Sequence, residues 1–325
     1  MSRDSHPQRR ATSADIARAA GVSRATVSYV LNDAPGKRVG DDTRKRVLDA
    51  ARALGHYPSA AARSLRSGRS NVVLALVRDF TLGHVASKIM ARLDQELAAH
   101  GYVVLAHHYD GDLRPLPELW GLISPALIVA MSGMTVPDTE EMAASPAKFM
   151  QIQGIVPHAE IGRIQARYLY ERGHRQLGYA FPQAEARAVI AAERLEATRA
   201  ECRALGMAEP LVRVLDVDDP ASAFNAIDAW SASPEPITAI AAHNDESAML
   251  LDSAYAERGI RSGEDIALIG VDNVPSARIA LTTVAINLEK FGDAIVARVR
   301  ALLEDRELPP IDREDMVYLI KRHTA

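Results

Sequence analysis

Apolar residues near the start of the chain recur at helical spacing, stop at a short break, and then resume. The two apolar faces consist of Ile16, Ala17 and Ala20 and of Val27, Val30 and Leu31. Gly21 lies in the break and can take the positive φ that a tight turn needs. The spacing therefore predicts two short helices in a helix-turn-helix arrangement. Ser23 is placed to cap the second helix, and Asp15 favours the N-terminus of the first.

The second helix leaves a polar face once its apolar residues are inside. That face contains Arg24, Ala25, Ser28 and Tyr29. Such positions near the N-terminal end of a recognition helix reach base edges in the major groove of DNA. The pattern therefore favours a DNA-binding segment, and an ordinary helical hairpin is the alternative from this stretch alone.

The next segments extend this head and connect it to the rest of the chain. A third apolar helix is predicted over 41–54, and Tyr57-Pro58 ends it. Residues 59–70 predict a short Ala-rich helix followed by a Ser/Gly linker. Because so short a helix is marginal alone in water, we expect it to fold when a partner supplies contacts. A plain inter-domain linker is the alternative.

From residue 71 the pattern changes to short apolar runs that alternate with amphipathic stretches. Strands are predicted at 72–77, 102–106, 126–130, 177–180, 211–215, 239–243 and 267–271. Helices are predicted at 86–99, 161–172, 186–205, 221–230 and 245–258. This alternation indicates parallel sheets covered on both faces, and so many strands fit two lobes better than one. A cleft at the carboxyl ends of the strands is the expected ligand site.

Charge is divided unevenly between these parts. Residues 1–70 contain 14 Lys and Arg against 6 Asp and Glu, whereas the remainder contains 24 against 36. A small basic segment on a large acidic body indicates a polyanion-binding module on a carrier. The start of the chain lacks an apolar h-region, and no run approaches the roughly 18 apolar residues of a membrane span. We therefore expect a cytoplasmic protein, associated with the nucleoid and without a membrane segment.

The sequence gives little support for a disulfide, a metal site or a catalytic site. Cys202 is the only cysteine, so no intrachain disulfide can form. His107 and His108 are adjacent on an extended segment and point apart, and no second cluster has ligand spacing, so no metal is expected. There is no phosphate loop, no G-x-S-x-G elbow and no nucleophile–base pair. We expect neither an enzyme nor a cofactor.

Several motifs occur in a fixed order along the chain. The most specific are residues 15–17, 20–23, 26–28 and 30–32, then 57–58 and 62–65; weaker marks are residues 172–175, 244–245, 270–272, 281–284 and Arg322. In this set the sequence closely resembles the lactose-repressor (LacI/GalR) family of bacterial transcription regulators. The resemblance implies an α/β protein, with a small all-α helix-turn-helix head and a two-lobed body of parallel sheets like the periplasmic binding proteins. It also implies a homodimer, or a dimer of dimers, on a pseudo-palindromic operator in double-stranded DNA.

The resemblance also implies a domain plan. The helix-turn-helix head would cover 1–58, the hinge helix and linker 59–70, and the effector-binding and dimerisation body 71–325. Lobe 1 would comprise approximately 71–174 and 288–312, and lobe 2 approximately 175–287 and 313–325. The chain would cross between lobes near 172–176, 285–288 and 313–317.

The family's functional positions can be carried over residue by residue. Base contacts map to Arg24, Ala25, Ser28 and Tyr29, and phosphate contacts map to Thr12, Ser23, Thr26 and Asn32. Hinge contacts in the minor groove map to Ala62, Leu65 and Arg66. The family's hinge helices wedge a leucine, which matches Leu65, into the central base step, and such a wedge kinks the duplex. Tyr29 replaces a frequent arginine, so the half-site sequence does not transfer.

In the body, the resemblance implies an effector site. Its polar positions match Arg194, Asn244 and Asp272, and Phe80 is a candidate apolar wall. A guanidinium, an amide and a carboxylate together can bind neighbouring hydroxyls, which favours a sugar or a similar polyol. A surface arginine, a helix N-cap and a turn aspartate are the alternatives for the three polar positions, and core packing is the alternative for Phe80.

The chain also departs from the family. Ala197 and Thr198 replace the usual glycine and aromatic residue, and 148–162 and 110–128 are shorter than usual. A constitutive regulator with an altered or vestigial pocket is therefore the second candidate. A transport-type ligand receptor is a third.

Overall fold

The computed structural model describes residues 11–31, 39–55, 70–78, 83–109, 116–132, 136–145 and 147–325. The chain divides into two compact units, Met1–Ser70 and Asn71–Ala325. The division falls where the sequence pattern changes from short helices to alternating strands and helices. Each unit has a buried apolar core of its own.

Three helices form the described part of the N-terminal unit. They are α1 (Ser13–Ala20), α2 (Arg24–Leu31) and α3 (Asp41–Ala53). Ile16, Val27 and Val47, one from each helix, are fully buried in a shared core. Gly21 follows α1 with a φ of 65°, in the left-handed region that a tight turn to α2 requires. The predicted helix-turn-helix is therefore confirmed.

Side chains cap both helices of this motif. The Thr12 hydroxyl accepts from the Asp15 N–H, and the Asp15 carboxylate accepts from the Thr12 N–H at 2.8 Å, so the two residues form a capping box at α1. At α2 the Ser23 hydroxyl accepts a 3.0 Å hydrogen bond from the Thr26 N–H, as predicted. These bonds satisfy amide groups that a helix start otherwise leaves without partners.

The second unit begins with a four-stranded parallel sheet, the first sheet, in the order β2-β1-β3-β4. Its strands are β1 (Val72–Val77), β2 (Val103–His108), β3 (Leu127–Ser132) and β4 (Lys148–Gln151). The helices in this part are α4 (His84–Ala98), α5 (Leu116–Ile123) and α6 (Val136–Ala143). The central strand β1 is almost wholly buried, which explains its unbroken apolar sequence.

A six-stranded sheet, the second sheet, follows in the order β10-β9-β8-β7-β5-β6. Its strands are β5 (Leu177–Pro182), β6 (Leu211–Leu215), β7 (Ala239–Ala242), β8 (Ala267–Val271), β9 (Thr282–Ile286) and β10 (Val317–Ile320), and only the β9–β10 pairing is antiparallel. The remaining helices are α7 (His158–Glu171), α8 (Glu185–Ala204), α9 (Ala221–Ser231), α10 (Asp245–Glu257) and α11 (Leu288–Leu303), with a 3₁₀ turn at Pro275–Ile279. The body is thus α/β with two lobes, as expected.

The first crossing between the sheets differs from the expectation. Helix α7 packs against α8 and the second sheet, and the buried Gln165 amide donates 2.9 Å to the Ala242 carbonyl of β7. The chain therefore leaves the first sheet at 152–157, ahead of α7, and not at 172–176. Helix α11 packs on α4, β3 and β4, so the chain returns to the first sheet at Asn287 and leaves it again between α11 and β10.

None of the helices in the described residues is long and apolar enough to cross a membrane.

Candidate functional site

The polar face of α2 is open to solvent in the N-terminal unit. Arg24, Ala25 and Tyr29 are exposed and Ser28 is half-buried, whereas Val27 points into the core. A recognition helix needs this arrangement, because its base-reading side chains must remain accessible and cannot be buried against the other helices. The predicted base-contact residues therefore share one accessible face.

The predicted phosphate contacts are the capping residues of the same helices. The Thr12 hydroxyl donates to Asp15 at 2.7 Å, and the hydroxyls of Ser23 and Thr26 lie 2.9 Å apart. Thr12 and Ser23 are exposed and Thr26 is half-buried, so the capping bonds leave them at the surface. The predicted contacts Asn32, Ala62, Leu65, Arg66 and Phe80 lie outside the described residues.

The body contains a cavity of about 180 Å³ between its two sheets. Its wall collects residues at the carboxyl ends of strands: Val77 ends β1, Ile286 ends β9, and Asp272 directly follows β8. Helices α4 and α7 begin at the same cavity, with His84 and His158. Both features follow from parallel βα units, which place strand ends and helix N-termini on one side.

Arg194 of α8 projects into this cavity from the second lobe and is only 5% exposed. One terminal nitrogen donates to the His243 carbonyl. Its Nε and its other terminal nitrogen lie 3.4 and 3.3 Å from His158 Nδ1. The nearest carboxylate oxygen, Asp272 Oδ1, is 3.9 Å away and therefore too far for a hydrogen bond.

Asp272 is held in an unusual backbone conformation. Its φ is 103°, which L-residues rarely adopt, and its N–H donates to the Val284 carbonyl at 2.9 Å. The next residue, Asn273, accepts a 2.7 Å hydrogen bond from Arg322. Burial raises the pKa of the Asp272 carboxyl, and the Arg194 charge opposes that rise. Bonds from β9 and from the segment after β10 thus fix the backbone that carries this carboxylate at the cavity.

Asn244 also lines the cavity, but its amide already has partners. The side-chain oxygen caps α10 by accepting from the Ser247 N–H at 2.9 Å, and the nitrogen donates to Glu246 at 3.2 Å. Arg187 donates to the same Glu246 oxygen at 2.9 Å. The N-cap alternative therefore describes Asn244 well, and one N–H and one lone pair of its amide remain for a ligand.

Three histidines that were not among the predicted site residues, His84, His158 and His243, line the cavity with these residues. Burial and then the Arg194 charge lower the pKa of His158 from 6.5 to about 3. Burial, followed by Arg194 and Arg187, lowers the pKa of His243 well below 6.5. For His84 the pKa is lowered by burial, then by Arg278 and Lys88. All three rings are therefore uncharged at neutral pH.

Matches to protein-family models cover both parts of the chain. Residues 12–59 match bacterial regulatory proteins of the lacI family, and residues 166–325 match the periplasmic binding protein-like domain. The chain belongs to the lacI family of bacterial regulatory proteins. Members of this family are transcriptional regulators, which agrees with the expectation of a regulator.

Relatives are similar to this chain over most of its length, and solved structures share its fold. The HTH-type transcriptional repressor PurR of Mannheimia succiniciproducens is 26% identical over 308 residues, which cover 87% of this chain and 89% of the relative. PurR of Pectobacterium carotovorum subsp. carotovorum is 28% identical over 310 residues, covering 88% and 89%. A lac repressor dimer bound to operator and the anti-inducer ONPF superposes with a TM-score of 0.78 at 23% identity, covering 97% and 99%. A complex of the regulator CelR with cellobiose gives 0.67 at 20%, covering 97% and 100%.

The two residues near Arg194 that depart from the family pattern, Ala197 and Thr198, do not line the cavity. Thr198 is fully buried, and its hydroxyl donates to the Arg194 carbonyl at 2.9 Å, against α7. Ala197 is 8% exposed and does not line the cavity. Phe291, at the start of α11, is an aromatic residue of the cavity wall. His243 could have been found from the sequence, because it lies between a buried strand and the predicted site residue Asn244.

Within the described part of the chain, no group of three or more histidine, cysteine or acidic side chains is arranged to hold a metal ion.

Proposed function

We propose that this protein is a sequence-specific transcriptional repressor that binds a palindromic operator as a homodimer and responds to a small polar effector in the body cavity. The observation that carries the proposal is the accessible α2 face of Arg24, Ala25 and Tyr29 above a fully buried helix-turn-helix core. The basic balance of residues 1–70 supports it, because phosphate neutralisation supplies much of the affinity for DNA. A dimer on an operator is what the lac repressor structure contains.

The residues on this face suggest how bases are read. A guanidinium such as that of Arg24 suits the O6 and N7 acceptors of guanine, whereas Ala25 can offer only a methyl contact, for instance to thymine. Ser28 is half-buried and adds a hydroxyl between them and Tyr29. Arg24 is therefore the residue on which base choice should depend most.

The dependence of base choice on Arg24 can be tested by substitution. Arg24→Ala should cost roughly 1–3 kcal/mol on the preferred operator and relax the choice at one or two base pairs. Arg52→Ala is the matched control, because it removes the same charge from α3 of the same head. Gel-shift titrations on the operator and on single-base variants measure both. An equal loss for Arg24→Ala on all sequences would remove it from the base-reading set.

The effector would act by shifting the body between two lobe arrangements. A ligand that contacts both lobes stabilises the arrangement in which the contacts coexist, and the heads respond to that arrangement. A hundredfold change in operator affinity needs about 2.7 kcal/mol of differential binding, within the usual range of such couplings. Arg194 and Asp272 are the polar groups that we assign to this ligand from the second lobe.

The cavity also keeps the second candidate open. Its modest volume and the use of Asn244 as a helix cap favour a constitutive regulator over a sugar-responsive one. Operator titrations in the presence of small molecules separate the two, with Arg194→Gln as the variant that should lose any response. Operator affinity that no ligand changes would favour the constitutive regulator.

A further inference from the structure

The cavity of the body offers mainly hydrogen-bond donors to a ligand. Arg194 can only donate, so His158 Nδ1 must accept from it, and the proton of this neutral ring lies on Nε2. His158 therefore presents an N–H to the cavity, next to the unused N–H groups of Arg194. Arg187 is already bonded to Glu246.

Two of the three carboxylates that the described residues place at the cavity, Asp245 and Glu246, already accept hydrogen bonds from the protein. Both carboxylate oxygens of Asp245 are bonded, one by the Thr283 hydroxyl at 2.6 Å and one by the Val274 N–H at 2.8 Å. Glu246 accepts from Arg187 and Asn244. A polyol donates one proton from every hydroxyl and needs several acceptors, whereas among the lining carboxylates of the described residues those that remain are Asp272 and one oxygen of Glu246. An acceptor-rich ligand fits better.

The buried charge of Arg194 also favours an acceptor-rich ligand. This side chain is buried, yet its hydrogen-bond partners are a carbonyl and an imidazole, both neutral. Buried charges in proteins are normally paired with an opposite charge within hydrogen-bond distance. The start of α7 at His158 and the start of α10 at Asp245 add positive dipole ends to the same cavity.

Two imidazole nitrogens at the cavity also lack partners. His243 Nε2 is buried without a hydrogen bond in the described part of the chain, although Nδ1 of the same ring lies 3.2 Å from the Ser247 hydroxyl. The His243 side chain is 4% exposed and belongs to the cavity lining. His84 Nε2, on the first lobe, is likewise buried with no partner among the described residues. Buried polar atoms of this kind normally have a partner, so a ligand atom is the natural one.

Size and wall chemistry limit the rest of the ligand. A cavity of about 180 Å³ is close to the engineered ~150 Å³ cavity that holds benzene. Apolar side chains form much of the wall, including Ile89, Met131, Val156, Ile190 and Phe291. The ligand is therefore compact and has an apolar part.

Building on the function proposed above, we infer that the effector is a small carboxylic acid bound as its anion. Its carboxylate would lie against Arg194, the Nε2–H of His158 and Nε2 of His243, with its apolar part against Phe291. The lining carboxylates of Asp272 and Glu246 oppose an anion, and Glu246 is paired with Arg187. The 3.9 Å separation of Asp272 from Arg194 leaves the guanidinium available. Because burial raises the pKa of Asp272, that carboxyl also takes up a proton more readily than an exposed one.

The test compares acids with their neutral isosteres on the full chain. Benzoate, 3-methylbutanoate and pyruvate are each paired with the corresponding amide, and D-glucose and D-ribose serve as neutral polyols. At least one acid should raise the melting temperature by several degrees, and its amide should not. Calorimetry should then show a tenfold or larger loss of affinity for that acid in His158→Asn.

A matched control and a second variant complete the design. His174→Asn changes a half-buried histidine whose Nδ1 bonds Thr238, outside the cavity, and should leave the affinity unchanged. His243→Asn serves if His158→Asn does not fold. Acids that fail to bind, or that bind both cavity variants as tightly as the parent, overturn the inference, as do sugars that bind in their place. Operator gel shifts run in parallel, so that loss of sequence-specific DNA binding, which would overturn the proposed function, is scored separately.

Discussion

Asp245 is a fully buried carboxylate that ties three elements together beneath the cavity. It begins α10, accepts from the Thr283 hydroxyl of β9, and accepts from the Val274 N–H in the segment after β8. That segment carries Asp272 with its unusual backbone conformation. Gly270 passes so close that a side chain there would overlap Asp245. Asp245 therefore lines the cavity and positions its wall, with both carboxylate oxygens already bonded within the protein.

The burial of Asp245 predicts a measurable dependence of stability on pH. Burial raises the pKa of Asp245 from 3.8 to about 7. Between these values the folded chain holds a proton on this carboxyl that the unfolded chain has lost, so the contribution to stability falls as pH rises. Against Asp245→Asn, the parent should lose up to about 4 kcal/mol of relative stability between about pH 4 and pH 7.

Denaturant unfolding of both proteins at several pH values measures that difference. The comparison with the variant is essential, because the lowered pKa values of His158 and His243 act in the opposite direction in both proteins. Asp218→Asn, which removes an exposed carboxylate, is the control and should show a much smaller difference. A parent-minus-variant difference that stays flat from pH 4 to pH 7 would contradict the assignment.

At this scale the sequence located some residues of the candidate site better than others. Asn244 and Asp272 directly follow predicted strands, so their arrival at one cavity with Arg194 could be expected from the topology of parallel sheets. Their roles in binding stay predictions. The helix N-cap, which the sequence offered as the alternative for Asn244, is its position in the structure, because the helix predicted over 245–258 begins directly after it. The sequence could not single out His158, because the role of this side chain depends on its contact with Arg194, 36 positions away along the chain.

At the scale of elements, the contact between α7 and α8 fixes the position of Arg194. Gly162 of α7 faces the Arg194 carbonyl, and a methyl group there would overlap that oxygen and lie 2.9 Å from the Thr198 hydroxyl. The fully buried Thr198 fills the remaining space. The two helices therefore approach each other at a distance that only glycine permits.

Gly162→Ala should consequently separate the two helices. Overpacking of this kind costs about 1–3 kcal/mol and sometimes more, and we expect the upper end because the obstacle is a backbone oxygen. Gly292→Ala in α11 is the control. Its methyl group would meet Arg92 Cδ at 2.7 Å, at the flexible end of a side chain that can move. Urea unfolding measures both, and equal losses would show that the α7–α8 approach is not limiting.

Some strands were not predicted from the sequence, and each omission has a physical reason. Strand β4 has only four residues, and β10 is a short antiparallel strand at the sheet edge. Strand β9 begins with Thr282 and Thr283, whose fully buried hydroxyls bond Ala325 and Asp245. Threonines do not register as an apolar run. The wrong lobe for α7 has another cause, since amphipathic spacing shows that a helix has a buried face but not which sheet covers it.

At the scale of the whole molecule, the cavity draws its wall from both lobes. His84 and Ile89 come from α4 on the first lobe, and Arg194 and Asp272 come from the second. A ligand that bonds groups from both sides stabilises the lobe arrangement in which they face each other. The regulatory response of the proposed repressor would therefore depend on a ligand small enough to reach both walls.

The whole protein should engage DNA with two heads at once. If the operator is palindromic and the protein a dimer, each head occupies one half-site, and a full site engages about twice the phosphates of a half-site. Since log K falls with log salt by about 0.9 per neutralised phosphate, the salt dependence on the full site should be about twice as steep. Affinity should also be at least tenfold higher on the full site, because the second head binds without a second association step. Fluorescence anisotropy titrations of the full chain on both duplexes, over a range of salt, measure these quantities. Equal slopes and equal affinities would mean that a single head carries all of the recognition.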